Sequence, residues 1–168
     1  MSAMFANRIS QKLHEEHSAT VVIMERLEAL IASHRRGPPA GKRDAEVLLL
    51  REIADGVESE VKRHFDFEEQ HLFTFLDTIG DADIGAHLTA EHTAMRPLGE
   101  RLAALARTAS SAGFDEASWN EFQRVGMDLA ERMLMHVQKE EMALLPLLED
   151  AMDAPMEARL YDAYAANA

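Results

Sequence analysis

Apolar residues recur at helical spacing along almost the whole chain. Leu13, His17, Val21, Met24, Leu27 and Ile31 form one stripe, which predicts a helix from about Ser10 to Ser33 with Ser10 as its N-cap. The segment His34 to Arg43 is basic and rich in Pro and Gly, and breaks that helix. A second helix follows from about Asp44 to Asp77, with Gly56 as a mild local weakness. The turn from Thr78 to Asp83 leads into a third helix, capped by Asp81 or Asp83 and running to about Thr108. Pro97 inside it removes a backbone hydrogen bond and predicts a kink. After a Ser- and Gly-containing loop, a fourth helix covers about Asp115 to Asp150, with Pro146 near its end, and Pro155 opens a short tail helix over 155–165. No stretch alternates with period two for long enough to suggest a sheet. The expected fold is all-α: an antiparallel up-down four-helix bundle over 10–150 with a short C-terminal helix, in a single domain spanning 1–168.

The two halves of this pattern resemble each other. With a shift of 75, Leu13–Leu30 overlays Leu88–Leu105 with nine of 18 positions identical, among them Glu16/Glu91 and His17/His92. With a shift of 72, His64, Glu68, Glu69, Leu72 and Leu76 meet His136, Glu140, Glu141, Leu144 and Leu148. The chain therefore reads as a duplicated helical hairpin.

Each copy carries one His, then His-x-x-x-Glu. A His and a Glu four apart lie about 40° apart around an α-helix, about one turn along it, so both reach one point beside the helix. His17 stands about 10 Å from the start of the first helix, and Glu68 about 14 Å from the end of the second. In antiparallel helices these levels nearly coincide, and His92 and Glu140 meet the same test. His17, His64, Glu68, His92, His136 and Glu140 are thus expected in one layer. Singly, a His on an apolar face is usually a hydrogen-bonded core residue. A buried Glu beside it is harder to explain without a cation, and the repeated set suits a pair of transition-metal ions. Ligand type alone leaves iron, zinc, manganese and copper open.

Neighbouring groups read differently. Glu16, Glu69, Glu91 and Glu141 each adjoin one of the six and point about 100° away. They are expected to be solvated, or to orient a His through its other ring nitrogen. His14 and His71 are expected at the polar edge of the core, with an added ligand role as the sharper alternative. His34 is expected to be exposed, and His87 is poorly angled for a site shared with His92. His14-Glu-Glu-His17 has its two His three apart, so it does not match the zinc-protease pattern.

Composition narrows the function classes. A net charge of −13 over 168 residues argues against nucleic acid or an anionic membrane as partner. The absence of cysteine excludes disulfides, iron–sulfur clusters and thiol catalysis. The first residues lack the apolar core of a signal peptide, and no apolar run reaches the roughly 18–20 residues of a membrane helix, so a cytoplasmic location is expected.

The order His17, His64-x-x-x-Glu68, His92, His136-x-x-x-Glu140 resembles the hemerythrin-like, or HHE cation-binding, family. The surrounding text, His64-Phe-Asp-Phe-Glu-Glu-Gln-His-Leu-Phe73 and Glu140-Glu-Met-Ala-Leu-Leu-Pro146, is similar to that family's second and fourth helices. The resemblance covers about Ser10 to Asp150. It implies a non-haem centre of two iron ions with an oxo or hydroxo bridge, His17, His64, His92 and His136 as terminal ligands, and Glu68 and Glu140 as bridges. Of about 12 octahedral positions, about two then stay open. The oxygen-carrying members resemble His-x-x-x-His on the third helix, where this chain has Leu88 before His92. They also use a five-residue His-to-Asp spacing on the fourth helix, at which this chain has Glu141. One fewer His implies a more open site. That favours reaction with, or sensing of, O2, NO or peroxide over reversible O2 carriage, with a redox partner protein as a possible associate. The alternatives are an iron-storage or delivery module, and a structural metal bundle without catalysis.

Overall fold

The computed structural model describes residues 5–40 and 43–167, and among these all regular structure is helical. The first four residues, and Gly41 and Lys42 of the expected basic loop, lie outside the described residues. Among the described residues five helices follow one another. Helix α1 is Arg8–Ser33. Its N-cap is Asn7, whose side chain accepts from the Ser10 backbone at 2.6 Å. Ser10, expected as the cap, instead lies buried in the first turn, because the apolar face begins one turn earlier at Ile9 and Phe5.

Helix α2 covers 44–78 and is not uniform. Two π-helical turns, Glu60–His64 and Glu68–Leu72, interrupt its α-helical course. Helix α3, Ala82–Ala112, runs unbroken through Pro97 and ends past the expected Thr108, at Gly113 with φ 76°. Asp81 precedes it without a side-chain capping bond, so neither aspartate at this turn is a hydrogen-bonded cap. Helix α4 covers 116–151, with Asp115 and Ser118 forming a reciprocal capping box. It contains a third π-helical turn, Glu140–Leu144. Pro146 follows directly and has no N–H to offer the Met142 carbonyl, which removes one α-helical bond at this point. Helix α5, Ala154–Ala166, is capped by Asp153 and starts with Pro155 in its first turn.

Around the molecule, α1 packs against α2 and α4, and α3 packs against α2 and α4. Helix α5 lies against α1, held by Leu160 in the core and by Arg8, which pairs with Glu157 at 2.8 Å and stacks over Tyr161. Helix α3 comes so close to α2 that a Cβ at Gly99 would stand 2.7 Å from a methyl carbon of Val61, inside the first π-helical turn. Arg96, on the same stretch of α3, donates to the Val61 carbonyl at 2.5 Å.

The apolar interior is split in two. One cluster includes Met24, Leu27, Ile53, Val57, Leu102, Phe122 and Met133. The other includes Phe5, Ile9, Leu13, Leu72, Leu76, Leu88, Leu144 and Leu148. In α1, α3 and α4 the changeover falls at His17, His92 and the His136–Glu140 pair, so a polar layer separates the two clusters. No helix among the described residues is long and apolar enough to cross a membrane.

Candidate metal centre

Six side chains meet in that polar layer: His17 from α1, His64 and Glu68 from α2, His92 from α3, and His136 and Glu140 from α4. None is more than 3% exposed. The three π-helical turns begin or end on His64, Glu68 and Glu140. Such turns hold more residues than an α-helical one, so they shift a side chain around the helix, and they recur at functional sites. Here they bring ligand-type residues onto the inward face.

The Nε2 atoms of all four imidazoles point inward. Glu68 Oε1 lies 3.3 Å from both His64 Nε2 and His92 Nε2. Glu140 divides its oxygens between two sides. Its Oε2 stands 2.8 Å from His17 Nε2 and 4.0 Å from His64 Nε2. Its Oε1 stands 2.5 Å from His136 Nε2 and 3.9 Å from His92 Nε2. The donors form two sets, His17/His64/Glu68/Glu140 and Glu68/His92/His136/Glu140, each with its ligand atoms within 4.8 Å of one another. Glu68 and Glu140 belong to both sets. All six residues expected in one layer are brought together.

Several of these atoms lack protein partners. Both oxygens of Glu68 and the Nε2 of His64 are buried without a hydrogen bond. Leaving buried carboxylate oxygens unsatisfied is costly, and a bound cation removes that cost. Imidazole nitrogen and carboxylate oxygen are the donors that iron, zinc, manganese and copper accept. The residues present therefore fit a cation site.

The outer nitrogens are all occupied. His64 Nδ1 meets Glu16 at 2.8 Å, His92 Nδ1 meets Glu69 at 2.9 Å, His136 Nδ1 meets Glu91 at 2.9 Å and His17 Nδ1 meets Glu141 at 2.9 Å. Each carboxylate comes from the preceding helix, in the cycle α1 to α2, α2 to α3, α3 to α4 and α4 to α1. The duplication is visible here, since Glu16–His64 repeats as Glu91–His136 and Glu69–His92 repeats as Glu141–His17. An Nδ1–H donated to a carboxylate fixes the tautomer and leaves the Nε2 lone pair facing inward. The four carboxylates are held in turn. Arg63 and Tyr164 contact Glu16 at 2.6 and 2.9 Å, and Arg96 contacts Glu69 at 2.5 Å. Lys139 contacts Glu91 at 2.5 Å, and His14 contacts Glu141 at 2.9 Å.

Of the two roles expected for these four Glu, the structure supports the orienting one. A side chain about 100° from its ligand neighbour does not reach the same centre, but it does reach the next helix. His14 holds Glu141 and stays outside both donor sets. His71 packs against Phe67, with ring centroids 5.6 Å apart. His87 is exposed near Lys139. His34, expected to be exposed, is half-buried: its Nδ1 bonds the Leu30 carbonyl at 3.0 Å and its ring stands edge-on to Trp119. One further buried carboxylate, Glu60, stands beside these groups and is not among the six expected from spacing. It stands four residues before His64 as Glu68 stands four after, and that symmetry was its signal.

Charge balance without a metal falls to protons. Burial lowers the His17 pKa, but hydrogen bonds to Glu140 and Glu141 outweigh it and push the value up to about 10. Burial likewise lowers the His92 pKa, but the nearby carboxylates of Glu140 and Glu68 outweigh it and push the value up to about 9. His64 and His136 move in the same direction, against burial, through nearby carboxylates. Burial raises the Glu140 pKa, but the surrounding imidazoles hold it well below the usual carboxylate range. Protonated imidazoles thus take the place of a cation among these carboxylates.

The description of the hemerythrin HHE cation-binding domain matches residues 8–148, and the chain belongs to that family. No curated protein matches the chain.

Two outcomes are expected. Glu141→Ala frees the His17 ring while leaving the inward donors in place, so ion affinity falls about 10–100-fold with the fold retained. Competition against a chelator measures this, and an affinity within about twofold of the parent chain contradicts the orienting role. The raised imidazole pKa values stabilise the metal-free fold fully below the ordinary 6.5, and this is lost as pH rises through about 9 to 10. The thermal midpoint of stripped protein therefore drops between those limits, and that of metal-loaded protein drops less, because ligands on a cation carry no proton. Equal pH profiles for the two forms contradict this.

Proposed function

We propose that this member of the HHE family holds two iron ions, and that it binds or reacts with O2, NO or peroxide. In this reading the chain is an antiparallel up-down four-helix bundle closed by α5. His17 and His64 hold one ion, His92 and His136 hold the other, and Glu68 and Glu140 are shared. The observation that carries it is the double membership of Glu68 and Glu140. Their oxygens face both imidazole pairs, and both oxygens of Glu68 are buried without a hydrogen bond. Iron itself rests on membership of the family.

When bound, the ions would supply an open coordination position and one-electron redox chemistry. The chain's own part is positional and electrostatic. Glu16, Glu69, Glu91 and Glu141 hold the imidazoles in one tautomer, and their added negative charge favours the more highly charged state of the centre. Phe65 stacks on His92 with centroids 3.8 Å apart, and Phe73 flanks the same ring at 5.7 Å. These rings, with the apolar clusters on either side, keep bulk water from the centre. The four-His set, with Leu88 in place of a fifth, favours reaction or sensing over reversible carriage.

Anaerobic reconstitution with ferrous iron tests this reading. About two ions per chain should bind, with absorption spectra that change on adding O2, NO or peroxide. An iron content well below two per chain, or spectra indifferent to all three, contradicts it.

A further inference from the structure

The two donor sets are related by the chain's duplication, but their surroundings are not equivalent. Glu60 lies beside one of them only. It is 4% exposed, its Oε2 accepts from Thr20 at 3.0 Å, and its Oε1 has no hydrogen-bond partner. That unpartnered oxygen stands 3.7 Å from His64 Nε2, the inward nitrogen of the His17/His64 set. His64 Nε2 also lacks a partner, so two unsatisfied buried donor atoms face each other.

The second half has nothing similar. The residue four before His136 is Arg132, which is exposed and pairs with Asp128 at 2.7 Å. The buried residue one turn before His136 is Met133, and three residues after His92, where the first half has Thr20 after His17, stands Met95. The backbone explains the difference. Residues 60–64 form a π-helical turn, whereas Glu116–Lys139 is regular α-helix through the matching stretch. Residues four apart drift about 40° around an α-helix. A wider turn reduces that drift, so Glu60, His64 and Glu68 line up on the inward face of α2. Arg96 fixes this turn from α3 by donating to the Val61 carbonyl.

We propose that Glu60 is a further carboxylate ligand, held by Thr20, for the ion bound between His17 and His64. It makes the two ion positions chemically unequal. This rests on the two-ion reading above. One position is then closed by an additional oxygen donor. The other, set among His92, His136, Phe65 and the buried methionines, keeps the opening to which a small ligand has access. The third carboxylate around the first position, with its added donor atom and negative charge, also makes it the tighter site for a divalent cation.

Stepwise Zn2+ binding against a competing chelator, with Co2+ absorption as a second readout, compares the parent chain with Glu60→Gln. The variant keeps the size of the side chain and an oxygen for Thr20, and removes the negative charge. The parent chain should bind two ions in distinguishable steps. In the variant the tighter step should weaken by at least about tenfold, with the other step little changed, and the two Co2+ signals should become more alike. The metal-free variant should unfold at the same or a higher temperature, because an unpartnered buried carboxylate has been removed. Weaker metal binding with undiminished metal-free stability is the signature of a ligand. Unchanged binding steps overturn the proposal, as does parallel loss of metal-free stability and of both steps, which marks a structural role. A parent chain that takes up fewer than two ions contradicts the two-ion reading instead. Glu60 is then judged by whether the variant alters the one remaining step.

Discussion

Glu68 and Glu140 lie at 0% exposure in the middle of the molecule, between two apolar clusters, with imidazoles on every side. An isolated carboxylate in such a place costs several kcal/mol even after the protein relaxes around it. The rest of the architecture answers that cost. Four imidazole Nε2 atoms turn toward the pair, and four outer carboxylates hold those imidazoles from behind. Arg63, Arg96 and Lys139 then balance three of the outer carboxylates, and His14 bonds the fourth. Charge alternates outward from the centre, and each layer fixes the orientation of the one inside it. The innermost place, between the shared carboxylates, has no Lys or Arg of its own and depends on the imidazoles for positive charge.

That arrangement also explains how a duplicated hairpin becomes one site. Each outer carboxylate reaches the following helix, and the cycle closes only when α4 returns to α1 through Glu141 and His17. Neither half can complete a donor set alone, since Glu68 and Glu140 come from different halves and each serves both sets. The two halves then differ in detail around a shared plan. Glu60 and Thr20 line one side, while Met95 and Met133 line the other. A centre with two unlike positions can separate holding a metal from presenting an open coordination position.

Much of this was legible in the sequence. Apolar periodicity, which reports burial directly, located the four long helices, and Pro155 marked the start of the short tail helix. The six inward residues followed from spacing and depth, since a His and a Glu four apart must share a face. Helix ends were less legible. Asn7 and Ser10 are both good caps by residue type, and the choice between them depends on how far the apolar face runs, which Ile9 settles only in three dimensions. The π-helical turns were not legible at all. A one-residue widening leaves the apolar pattern almost unchanged, yet it moves Glu60 from an apparent flank into the core. The outer carboxylates could be seen beside the inward residues, but which imidazole each one holds depends on which helix is its neighbour. Leu88 fills a core position, so its departure from the oxygen-carrying pattern bears on chemistry and leaves packing intact.

The central claim is that the shared carboxylates are shared because two cations lie between them and the imidazoles. Anomalous diffraction at the iron edge, from crystals of iron-loaded protein, tests this directly. Two peaks are expected, one among His17, His64, Glu68 and Glu140 and the other among His92, His136, Glu68 and Glu140. A single peak, or no peak with the Glu68 oxygens hydrogen-bonded to protein or water, would contradict it.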